Sequence, residues 1–155
     1  CRKMGVFFCW ILVYDKRKWK ELHIVMEFDT KQKVLLAIYL EYQKDIPDMY
    51  SIKAETVGVD RKVFDIALDK LDNEQLVKGI KFSRGSQNEV LMAFIDTAKM
   101  TTKGLQYVET KLDIQPEKTG LEKVKEVSQK AATWGWNEAK DFAAKVLSEL
   151  IQSQA

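Results

Sequence analysis

Arg61 and Lys62 stand side by side behind Asp60 at the head of an amphipathic run, and Lys78, Lys81 and Arg84 follow in a stretch with a polar turn that carries Gln87. These residue types suit a polyanion. A guanidinium donates two hydrogen bonds to a guanine edge, and ammonium groups neutralise phosphates. Ser83 and Ser86 add neutral donors, and Lys99 and Lys103 extend the cationic set. Other chemistries lack their residues. The one histidine, His23, and both cysteines, Cys1 and Cys9, fall in the first 25 residues. That supply builds no conventional zinc site. No phosphate-cradling glycine loop, nucleophile elbow or cysteine nucleophile follows residue 25. Asp65 and Asp69, four apart, share a helix face and read as solvated side chains rather than a cation site. The expectation is a binding protein with no catalytic residue, no metal and no cofactor.

Charge tempers the polyanion reading. The chain of 155 residues has 25 Lys/Arg against 23 Asp/Glu, a formal net charge of +2. Six of those cations and only two of the carboxylates lie in residues 1–25, so that segment is +4 and the remainder is −2. The run Asp60–Asp72 sets Arg61, Lys62 and Lys70 against four aspartates. A wholly basic surface that would hold nucleic acid without selectivity is therefore not implied.

The elements that must position these residues follow from periodicity and breakers. Asp29 or Thr30 can cap a helix carrying Val34, Leu35, Ile38 and Tyr42, which Pro47 stops by Asp45 or Ile46. A short helix is expected around Ser51–Thr56, then a turn at Gly58. Asp60 caps the next helix, whose apolar face is Val63, Phe64, Ala67, Leu68 and Leu71. This places Arg61, Lys62, Asp65, Ile66, Asp69 and Lys70 outward. Gln75–Phe82 and Glu89–Ile95 read as two antiparallel strands joined by the turn Ser83–Asn88. A helix begins near Thr101, and Gly104 inside it costs about 1 kcal/mol against alanine, which suggests a close neighbour. After a polar break at Asp113–Gly120, two further amphipathic runs flank the corner Thr133–Trp136.

The stretch Ala54–Val77 meets the demands of a helix-turn-helix in order: small Ala54 where the helices approach, apolar Val57, a turn at Gly58, and Val59 in the corner. "VGVDRKVFDIALDKLDNEQLVKGI" is similar to the corresponding stretch of the YjcQ-like winged-helix family of Gram-positive bacteria and their phages. "MTTKGLQYV" resembles the LT-x-K-G-x-x-Y-L segment that follows the wing there and in several regulator families. The resemblance covers roughly Phe28–Lys111. It implies a winged helix-turn-helix and a bacterial or phage origin; with the two C-terminal amphipathic runs, the expected fold is α+β, a winged helix-turn-helix with a C-terminal helical extension, and the cations on it make a transcriptional regulator that binds double-stranded DNA the leading expectation. Arg61, Lys62, Lys78, Lys81, Arg84 and Gln87 are the expected DNA contacts. The alternative is a winged-helix protein-interaction module that binds no DNA.

The expected organisation is an N-terminal extension over 1–25, a winged-helix domain over 26–112 and a helical segment over 113–155. Gly5–Tyr14 is apolar but too short to span a bilayer. It reads as an interfacial anchor, an added strand, or sequence upstream of a natural start at Met26. No membrane partner and a cytoplasmic location are expected. Trp134 and Trp136 read either as packed against the body or as an exposed hot spot. The last helix, with Ala139, Phe142, Ala143, Val146 and Leu150, suits helix–helix packing, either in a homodimer through the C-terminal helices or against its own domain.

Overall fold

A computed structural model describes residues 28–153, so the expectations placed on residues 1–25 lie outside the described residues. Helix α1 (Thr30–Tyr42) starts at Asp29, whose carboxylate accepts the Gln32 N–H at 2.8 Å while the Gln32 side chain accepts the Asp29 N–H at 3.1 Å. This reciprocal box satisfies two donors that a helix start leaves free. Every residue from Val34 to Glu41 is buried. The helix is apolar all round because other elements cover each of its sides, so no single stripe marks it. It ends at Tyr42, earlier than Pro47 requires. Buried Glu41 holds the exit: its carboxylate accepts the Asp48 N–H at 2.8 Å and pairs with Lys44 at 2.8 Å.

In place of one short helix, a 3-10 turn at Met49–Ser51 precedes α2 (Ala54–Val57). Gly58 closes α2 in the left-handed region, at φ 78°, where a side chain would be strained. Helix α3 (Arg61–Asn73) begins at Asp60, which accepts the Lys62 N–H at 3.0 Å. Phe64, Ala67, Leu68 and Leu71 seat α3 against α1. Val63, expected on that inner face, is instead 43% exposed. It sits on the edge of the stripe, rotated around the helix from the line that meets α1.

The hairpin comes in pieces. Strand β1 (Val77–Lys78) pairs antiparallel with β4 (Lys99–Met100), and β2 (Lys81–Arg84) with β3 (Val90–Phe94). The first expected strand is interrupted at Gly79, whose carbonyl accepts the Thr97 hydroxyl at 2.6 Å instead of a ladder partner. The short β4 was not expected, because two residues ahead of a capped helix carry no alternation of their own. A bulge between Ser83 and Arg84 re-aims the tip. On the face toward α3 lie Phe82, Arg84 and buried Ala93; Lys81, Ser83, Met92 and Phe94 face outward.

Helix α4 (Thr102–Leu112) is capped by Thr101, α5 (Gly120–Ala131) by a Thr119–Glu122 box, and α6 (Asn137–Ser153) runs back along α1. The corner between α5 and α6 is filled. Trp134 and Trp136 are buried, the Trp134 ring lies edge-on to Phe28 at 4.9 Å, and Trp136 Nε1 donates to the Val57 carbonyl at 3.3 Å. The stripe Ala139, Phe142, Ala143, Val146 and Leu150 faces the chain's own core, continuous with that of α1 and α3.

One polar network crosses this core. The Tyr39 hydroxyl donates to Glu109 Oε2 at 3.0 Å, and Lys123 pairs with the same oxygen at 2.6 Å, joining α1, α4 and α5. Burial first, then the neighbouring carboxylate, pushes the Tyr39 phenol far above its ordinary range. Above about pH 10 the unfolded chain loses this proton while the native chain keeps it. The unfolded state then binds fewer protons, so stability falls as pH rises. The urea midpoint of the native chain is expected to decline from about pH 10 to about pH 11.5, and less steeply in Tyr39→Phe. Equal slopes in the two proteins would refute this assignment.

Candidate nucleic-acid interface

Arg61 and Lys62 occupy the first turn of α3, and both are exposed. Arg61 is held in a particular way. Its Nε donates to both carboxylate oxygens of Asp65, at 3.1 and 3.2 Å, one turn further along. The Asp65 side chain is only 7% exposed and that of Arg61 is 61% exposed. Neither Arg61 Nη1 nor Nη2 donates a hydrogen bond among the described residues. The inner edge of the guanidinium is anchored and its outer fork faces solvent.

Asp69 has a comparable task. Its Oδ1 accepts from Arg84 Nη2 at 2.7 Å, while Arg84 Nη1 donates to the Asn88 carbonyl at 3.2 Å and the guanidinium lies 4.9 Å from the centre of the Phe82 ring. Arg84 thus braces the hairpin against α3 and closes its own turn. The aspartates that weakened the charge count of this helix are engaged locally: Asp60 caps, Asp65 holds Arg61 and Asp69 holds Arg84. Asp65, expected outward, is buried, because its carboxylate folds back under the guanidinium four residues earlier. Among the described residues no group of three or more His, Cys, Asp or Glu is placed to hold a metal.

Between α3 and the hairpin runs a groove of about 690 Å³, walled by Asp60–Lys62, Asp65, Ile66 and Asp69 on one side and Asn88–Leu91 on the other. Gln87 is exposed at the tip, its N–H donating to Glu89 Oε2 at 2.9 Å. Lys81 is exposed on the outer hairpin face. Lys78 does not join this group. With its cross-strand partner Lys99 it lines a second cleft of about 910 Å³, beside Tyr42 and Pro47, that shares no residue with the groove. Lys103 Nζ donates to the Glu74 carbonyl at 3.1 Å. Sequence reasoning found the cations but missed the two aspartates that position them. The four-residue spacing of Arg61 and Asp65 was the available sign.

A helix-turn-helix followed by a braced β-hairpin, with helices packed behind it, defines an α+β winged-helix protein with a C-terminal helical extension. The chain belongs to the YjcQ protein family, whose model matches residues 32–129, more than half of the chain and as far as α5. No curated protein and no solved structure matches it. No helix among the described residues is long and apolar enough to cross a membrane.

Proposed function

We propose that this chain is a double-stranded-DNA-binding protein of the bacterial or phage cytoplasm, acting in transcriptional regulation and not as an enzyme. The observation that carries the reading is the anchored Arg61 with its free Nη fork. A guanidinium fixed through Nε loses less side-chain freedom on binding, and its two outer nitrogens match the O6 and N7 acceptors of guanine. In this reading α3 enters the major groove, while Lys62, Lys81, Arg84 and Gln87 contact the backbone nearby. Lys78 contributes only from the far side of the hairpin root.

The test is binding by the full chain to a duplex selected from random DNA, followed by anisotropy at fixed salt. Arg61→Ala is expected to lose about 1–3 kcal/mol and to relax preference at one base pair. Asp65→Ala removes a negative charge, so simple electrostatics predicts tighter binding. An anchoring role predicts weaker binding to the selected site and a smaller preference over random sequence. Failure to bind mixed DNA even at low salt would overturn the proposal.

A second reading, an interaction module without DNA, draws on Met92 and Phe94, which are exposed together on the outer hairpin face. That reading predicts no retention on DNA at any salt. A homodimer through the C-terminal helices would use the outer side of α6, near exposed Ile151, because the chain's own core covers the inner stripe.

A further inference from the structure

Resting on the DNA reading above, we propose that Ile66 and Val63 form a thymine-methyl reader on α3, so that the target duplex carries a thymine beside the guanine read by Arg61. Ile66 is 37% exposed and lies on the outward side of the helix. Lys62 and Lys70 stand one turn to either side of it, both exposed and with no ion pair among the described residues. Val63 is three residues away on the same flank. Leu91 lies across the groove from Ile66, on the hairpin wall.

A lone exposed apolar residue needs no explanation. This arrangement is different. Two β-branched side chains occupy solvent-facing positions of a helix, where they weaken propensity relative to Lys, Gln or Leu. Each leaves more than a third of its surface uncovered by the protein. Free cations and a fixed arginine fork bracket them. In a duplex major groove the C5-methyl of thymine is the one apolar group presented, and apolar side chains recognise it. Polyanion-compatible charge around a small apolar patch therefore fits methyl-bearing bases better than a basic peptide, which Lys62, Lys70 and Arg61 would repel.

The experiment replaces the thymines of the selected duplex, one at a time, by deoxyuridine, which deletes only the methyl. With the full chain at fixed salt, affinity is expected to fall about fourfold per contacted methyl. Ile66→Ala or Val63→Ala should bind the thymine duplex more weakly, be insensitive to that same deoxyuridine, and keep the salt dependence of the native chain. Both positions are partly exposed, so only small drops in thermal midpoint are expected, and a cooperative transition shows that the variants fold. Binding that tolerates deoxyuridine at every position would overturn the methyl reader and leave DNA binding standing, as would a selected site lacking thymine. Equal deoxyuridine sensitivity in native and variant proteins would also overturn it. Absence of binding to any duplex would overturn both proposals together.

Discussion

Gly104→Ala is expected to lower stability by about 3 kcal/mol, although alanine is the better helix former. A methyl at this position would overlap the Leu76 carbonyl oxygen. That carbonyl has little room to retreat. It accepts the Thr101 N–H at 3.3 Å and the Thr101 hydroxyl at 3.0 Å, and it lies where β1 begins. Thr101 also caps α4 by accepting the Gly104 N–H at 2.9 Å, so the glycine, the cap and the root of the hairpin are locked at one spot. The gain from replacing a helical glycine is about 1 kcal/mol, smaller than the cost of forcing two backbones apart. The check is a urea midpoint at unchanged slope. A variant as stable as the native chain would show that α4 can slide away from Leu76.

Glu109→Ala should be at least as damaging, at about 3–5 kcal/mol. The carboxylate is buried and accepts from Tyr39 while pairing with Lys123, whose side chain is 12% exposed. Removal leaves a buried hydroxyl without a partner and an ammonium held in a poorly hydrated place. The triple variant Tyr39→Phe, Glu109→Leu, Lys123→Met is expected to recover most of the loss, because apolar groups of similar volume need no partners. If the triple variant is no more stable than Glu109→Ala, the loss came from packing volume rather than from stranded polar groups.

Much of this fold was legible in the chain because local chemistry and tertiary packing agree. Asp29, Asp60 and Thr101 are strong caps at the starts of α1, α3 and α4, and Gly58 takes the left-handed turn its place suggested. Ala54, Val57 and Leu68 are buried as the helix-turn-helix pattern requires. What escaped was set by partners distant in sequence. Strand β4 exists only because Val77 and Lys78 lie opposite it. Nothing near Trp136 in sequence indicates that its indole reaches the end of α2. At the candidate interface, residue types pointed to the cations, but charge counting treated each aspartate as a free repulsive group. Whether a carboxylate repels a phosphate or orients an arginine depends on where the side chain folds back. Asp65 and Asp69 do the latter, one toward its own helix and one toward the hairpin.

The Asp69–Arg84 clasp has a consequence for what a target could look like. A hairpin clasped to α3 has less freedom to swing than one joined to it only by the chain. In the proposed DNA complex, the offset between the base step under Arg61 and the phosphates under the tip is then set by the clasp. Inserting a single base pair between those two footprints would rotate one away from the protein by about a tenth of a turn, and the hairpin could follow it only by giving up the clasp.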